Sequence, residues 1–211
     1  MKRLLFLTVI TLIMNLLAFG QAKKEMSVKE YFLAIPNEFI KADAKKRVDW
    51  IETEENSIGF LSFKMPADEF PGGEDLKEEG VVYGNVQVFK KTGGGAVIGL
   101  AVNLCAEGKC VGQMLLLDYN AGKWEDLTSD LSPMIDNDEV VKILKNAPAY
   151  ENKDNLKDGV EVPLAIEFNG NGKAINYLAG CVGGCDGAVV AKTFKWNGSI
   201  FKEFEEAESP E

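Results

Sequence analysis

The chain has 211 residues, 46% of them hydrophobic, which is enough to bury a core and excludes wholesale disorder. It carries 23 basic against 33 acidic residues, a net charge of −10, and contains no histidine. The acidity argues against nucleic acid and anionic membranes as partners, and the missing histidine removes histidine-based nucleophile pairs and histidine-held metals.

The chain opens with an export signal. Lys2 and Arg3 precede an apolar stretch from Leu4 to Phe19, and Ala18-Phe19-Gly20 or Gly20-Gln21-Ala22 offers small residues for cleavage. The stretch is short for a bilayer span and is broken by Thr8, Thr11 and Asn15. Residues 1–22 therefore read as a signal peptide. The expected product is periplasmic or secreted, soluble, and not inserted in a membrane after cleavage. Removing Lys2 and Arg3 leaves 21 basic residues against 33 acids, a net charge of −12.

Ser27 and Glu30 form a capping box that predicts a helix, with Tyr31, Phe32 and Ile35 on its apolar face and Pro36 at its end. Asp43 predicts the cap of a second helix that presents Val48, Trp50 and Ile51. From Ser57 the period changes to two, and Ile58, Phe60 and Leu61 to Phe63 predict a strand closed by Pro66. Residues 67–80 hold Pro71-Gly72-Gly73 and six acids, and read as a solvated excursion. Val81 to Tyr83 and Val86 to Phe89 resume strand character, Gly93-Gly94-Gly95 is a turn, and Ala96 to Leu104 is a strand. Val111 to Tyr119 follows, then a turn at Asn120-Ala121-Gly122 and a short strand through Trp124 and Leu127.

Ser129 to Pro133 reads as a loop, and Asp136 with Glu139 caps a helix over Val140 to Leu144 that ends near Asn146. After a polar linker, strands are predicted in Val160 to Phe168, Ala174 to Ala179, Ala188 to Trp196 and Ser199 to Phe204. The fold class expected is α+β, with antiparallel β-meanders and packed helices. The chain divides into two helix-plus-meander units, residues 23–130 and 131–211, which share a strand–cysteine pair–strand–aromatic turn order and can form one compact domain.

Four cysteines allow three pairings. Cys105 and Cys110 flank four residues, Cys181 and Cys185 flank three, and both gaps suit the tip of a hairpin bridged by a local disulfide. A thiol oxidoreductase carries two residues between its cysteines, and an oxidising compartment consumes the thiolates that a four-cysteine zinc site needs. Local disulfides are the reading, with no metal and no cofactor. Asp118 to Gly122 opens like a calcium loop, but Lys123 stands where the sharp-turn glycine belongs and no closing glutamate follows.

Tyr119, Trp124 and Trp196 lie beside the hairpin turns and form a candidate surface for a protein or glycan partner, against the plainer reading that they plug the hairpins onto the core. No residue is singled out as catalytic, and enzymatic activity is not favoured. A non-enzymatic binding protein is the leading expectation, a carboxylate-based hydrolase of envelope or dietary polymers the alternative, and a structural envelope component a third. A cleft holding two facing acids about 5–10 Å apart would favour the hydrolase, and acids scattered over convex surface would favour binding.

Two stretches carry a resemblance: Ile35-Pro36-Asn37-Glu38-Phe39-Ile40 followed by Lys46-Arg47-Val48-Asp49-Trp50-Ile51, and the strand–cysteine–strand–turn run from Val102 to Leu127. The chain resembles a group of exported Bacteroidetes proteins of unknown function, a likeness that implies export and transfers no catalytic residue. Its tandem plan also resembles that of secreted β-lactamase inhibitory proteins, by plan alone.

Overall fold

A computed structural model describes residues 25–66, 81–106, 109–120, 122–150, 153–157, 159–171, 173–181 and 188–204. The expected signal peptide at 1–22, the expected acidic excursion at 67–80, Cys185 and the tail from residue 205 lie outside the described residues.

The described chain is mostly β, which corrects the α+β expectation. Ten strands form two antiparallel sheets, and the helices are short. The first helix, α1 (Val28–Ala34), is capped as expected: Glu30 N donates to Ser27 Oγ, and Ser27 N donates to the Glu30 carboxylate. Asp43 caps α2 (Ala44–Val48), yet that helix stops before Trp50 and Ile51. Those residues do not share a helical face with Val48, which stays exposed. Ile51 instead opens β1 (Ile51–Glu55), because its neighbours pair with β2 (Phe60–Pro66). Tertiary pairing outweighs local helix propensity here.

The first sheet is a six-stranded meander: β1, β2, β3 (Val81–Lys90), β4 (Ala96–Ala106), β5 (Lys109–Asn120) and β6 (Lys123–Asp126). Gly93, Gly94 and Gly95 all have positive φ, which is why the β3–β4 turn takes three glycines. Period two assigns each strand residue to one of two faces. On one face Leu61, Phe63, Val82, Val86, Ile98, Leu100 and Leu117 bury against Val28, Tyr31 and Phe32 of α1 and against Ile35 and Ile40. On the other, Phe89, Val97, Ala101 and Leu116 meet the second sheet.

Arg47 of α2 holds the 35–42 segment in place. Its side chain is fully buried, and all five of its N–H groups are used: Nε donates to Ala42 O, Nη1 to Phe32 O and Ile35 O, and Nη2 to Ile40 O and the Asn37 side chain. Burial lowers its pKa, with nearby Asp43 opposing.

After β6 come α3 (Thr128–Leu131), where a loop is expected, and α4 (Asn137–Asn146), which begins at the Asp136 cap and ends ahead of Pro148 as read. The second sheet then runs β7 (Leu164–Asn169), β8 (Ala174–Ala179), β9 (Val189–Trp196) and β10 (Phe201–Glu203), with β7 at one edge. Val140, Val141 and Leu144 of α4 pack with Ala179 and Ala191 of this sheet. Lys192 of β9 is buried between Glu139 of α4, at 2.6 Å, and Glu203 of β10, tying helix and strands together.

The two sheets meet edge to face. β7 crosses β3, β4 and β5 of the first sheet, and asparagine side chains supply the hydrogen bonds that its free edge lacks. Asn103 Nδ2 donates to Ile166 O at 2.8 Å while Ile166 N donates to Asn103 Oδ1 at 2.7 Å, so one amide does the work of a neighbouring strand. Two residues on, Phe168 N donates to Asn85 Oδ1 at 3.1 Å. Such an approach needs bare backbone below. A Cβ on Gly112 would stand 2.6 Å from both Ile166 N and its Cγ1, and one on Gly99 would stand 2.6 Å from the Phe168 ring.

Candidate functional site

Because β7 meets the first sheet on its edge, its alternating side chains fall on two sides of the junction. Ile166 and Phe168 join the core with Phe89, Ile175, Tyr177, Phe194 and Trp196. Ala165 and Glu167 point to the other side. There the crossing leaves part of the first sheet uncovered, and a cleft of about 220 Å³ opens between the sheets.

Its lining comes from six strands. Glu52 comes from β1, Phe60 and Ser62 from β2, Tyr83 and Asn85 from β3, Asn103 from β4, Glu167 from β7 and Leu178 from β8. Ser62, Asn85 and Tyr83 share this face because they sit at matching positions of the β2–β3 register, Ser62 opposite Asn85 and Lys64 opposite Tyr83. Lys64 holds its Nζ 5.3 Å from the Tyr83 ring centroid. Desolvation raises the Glu167 carboxyl above its ordinary range, although Glu167, like Glu52, is exposed. Among the described residues, neither Glu52 nor Glu167 has an ion-pair or hydrogen-bond partner. Two carboxylates, one of them partly desolvated, therefore line the same small cleft.

A larger hollow of about 730 Å³ lies between the start of α1 and the β1–β2 turn. Lys90 pairs there with Glu25 at 2.8 Å, and Ser27 and Glu30 are spent on the capping box, whereas the side chains of Lys29 and Lys173 have no ion-pair or hydrogen-bond partner among the described residues. That hollow is the wider of the two and keeps two unpaired lysines, whereas the smaller cleft, at the junction of the sheets, keeps two unpaired acids.

The aromatic candidates do not form one surface. Tyr119 and Trp124 face each other across the β5–β6 turn, ring centroids 4.8 Å apart, and pack with Tyr31 into the core of the first sheet. Trp196 lies on the opposite side of that sheet, where it is buried, pairs with Phe201 at 4.9 Å and donates its indole N–H to Lys90 O. The two hairpins thus repeat one aromatic cross-strand pair, and each pair closes its own core.

Cys105 is the register partner of Cys110 at the β4–β5 tip. Cys110 and Cys181 are each disulfide-bonded, and both are buried in one cluster with Ala165 and Leu178. Among the described residues no cysteine is free, and no group of three or more acids and cysteines gathers as a metal site. No described helix is long and apolar enough to cross a membrane.

Glu52, Ser62, Tyr83, Asn85, Asn103 and Glu167 escape sequence reasoning as site residues. One signal was present: Asn85 and Asn103 interrupt otherwise apolar strands, where asparagine is unfavourable unless something nearby needs its amide.

No family model matches the chain, and no curated protein does. Among solved structures, a domain of an uncharacterized protein from Porphyromonas gingivalis W83 is similar, with a TM-score of 0.47 and 10% identity. The match covers 85% of this chain and 98% of that one. Its source is a member of the Bacteroidetes, and at this score the likeness carries no argument about function.

Proposed function

We propose that this is an exported binding protein, periplasmic or secreted and without catalytic activity, whose inter-sheet cleft receives one small group of a partner. The observation that carries the reading is the small size of the cleft that Glu52 and Glu167 line, about 220 Å³. Size sets the scale of the occupant. At about 30 Å³ per water, the cleft's ≈ 220 Å³ holds about seven waters, less than the pockets that enclose drug-sized ligands. It suits a single ring or side-chain head rather than a stretch of polymer. Local disulfides, Cys105 with Cys110 and Cys181 with Cys185, belong to the same reading, since Leu178 packs with Cys110 and Cys181 and also lines the cleft. Peptide mapping without reduction checks the pairing, and a cross-link between the two sheets would contradict it.

A carboxylate-based hydrolase is the second reading. It is favoured by the same two acids, because a general acid and its base or nucleophile need a carboxyl raised by its surroundings and a second carboxylate in one cleft. One experiment separates the two. The purified mature chain is tested for turnover of glycan and peptide substrates, and its melting temperature is followed across a panel of amines, amino-acid amides and monosaccharides. Stabilisation by a panel member without turnover supports binding. Turnover that Glu167→Gln abolishes establishes the hydrolase, and neither effect would leave the structural-component reading in its place.

A further inference from the structure

We propose that the group received by the cleft is the cationic head of a lysine or arginine side chain, presented by a protein partner. This inference rests on the binding reading above and adds the chemical class of the occupant. The charged side chains that line the cleft are both acidic, set beside the hydroxyls of Ser62 and Tyr83. Glu52 and Glu167 contribute two carboxylates from different strands, and no lysine or arginine among the described residues pairs with either. Lys64, close enough to stand over Tyr83, leaves both acids unmet. An anion would face two like charges, and a cation would meet two opposite ones.

The amides narrow the choice further. Asn103 spends both of its polar atoms on Ile166, and Asn85 spends its Oδ1 on Phe168 N. Asn85 is 8% exposed and lines the cleft, and its Nδ2 donates to no described residue. The Asn85 amide and the Ser62 and Tyr83 hydroxyls beside two carboxylates fit a cation carried by a chain that also offers a carbonyl oxygen, as a peptide does. Phe60 and Tyr83 supply apolar and aromatic surface for the aliphatic stem. The strongly acidic surface steers basic partners toward the molecule before any contact forms.

The test is an NMR titration of the isotope-labelled mature chain with four probes: Nα-acetyl-lysine methylamide, Nα-acetyl-arginine methylamide, the neutral Nα-acetyl-norleucine methylamide, and methyl glucoside. The expected result is saturable shifts at Ser62, Tyr83, Asn85 and Glu167 with a cationic probe and affinity about tenfold weaker or less for norleucine, the ratio that ~1.4 kcal/mol produces. Glu167→Gln and Glu52→Gln should each weaken the cationic probe severalfold while leaving the remaining amide spectrum in place, since neither side chain holds the fold together. If the norleucine probe or the glucoside saturates the same amides as tightly, the cleft binds but the cationic assignment is wrong. If no probe shifts the cleft, the binding reading falls together with it.

Discussion

Replacing Asn103 with alanine tests whether one amide holds the second sheet on the first. The side chain is 6% exposed and makes two short hydrogen bonds to the backbone of Ile166. Alanine leaves a buried N–H and a buried C=O without partners, and each such group costs about 1–3 kcal/mol. The expected loss is therefore about 3 kcal/mol, a large share of the roughly 5–15 kcal/mol that stabilises a typical domain. Asn85→Ala provides the internal scale. It removes one acceptor, from Phe168 N, and should cost about 1–2 kcal/mol. Asn103→Asp sharpens the logic, because its ionised carboxylate still accepts from Ile166 N but opposes Ile166 O. Protonation restores a donor, so the deficit of Asn103→Asp should shrink as the pH falls. Urea unfolding followed by tryptophan fluorescence reads all three, with the midpoint for Asn103→Ala falling by about 1–2 M at ordinary m-values. A loss below ~1 kcal/mol, or one no larger than that of Asn85→Ala, would refute the view that Asn103 stands in for a neighbouring strand.

Three further outcomes follow from the same packing. Gly112→Ala places a Cβ 2.6 Å from backbone N of Ile166, so it should destabilise by about 2 kcal/mol, and a neutral result in urea unfolding would mean that β7 does not lie so close. Arg47→Met strands four carbonyls and the Asn37 side chain, with an expected cost on the order of 3–5 kcal/mol and faster amide exchange over residues 35–42; unchanged exchange there would contradict its role. For Glu167 the folded carboxyl is raised by desolvation, so the folded state binds its proton more tightly than the unfolded one. Its contribution to stability falls as the pH rises from the ordinary glutamate range through the raised value. Glu167→Gln should then melt at or above the wild-type temperature at pH 7 and converge with it in acid, and a less stable variant at pH 7 would reverse the argument.

Much of the fold can be read along the chain because its causes are local. The helix caps, the triglycine turn and the apolar runs in β3, β4, β8 and β9 each announce themselves within a few residues. β1 does not, since Ile51-Glu52-Thr53-Glu54-Glu55 is too polar to resemble a strand until β2 lies beside it. Reading Trp50 and Ile51 onto a helix follows from the same local logic, and it fails where pairing decides. The balance between helix and sheet is overestimated on the helical side for this reason. The cleft is illegible for a different one. Asn103 and Asn85 find their partners 63 and 83 residues away, and alternation tells which face a side chain takes without telling which edge will cross it. Glu52 and Glu167 look like ordinary surface acids in an acidic chain until the edge-to-face crossing brings them to one cleft. Arg47 is similarly hidden, because a lysine-rich helix gives no sign that one cation will be fully enclosed by carbonyls.

The most direct test of the account is crystallographic fragment screening of the mature protein, using small amines, guanidines, sugars and carboxylic acids. The account predicts that occupancy concentrates in the cleft between Glu52, Tyr83, Asn85 and Glu167, with a nitrogen of an amine or guanidine against the carboxylates. Fragments gathered in the larger hollow near Lys29, Lys90 and Lys173, with the inter-sheet cleft holding none, would contradict it.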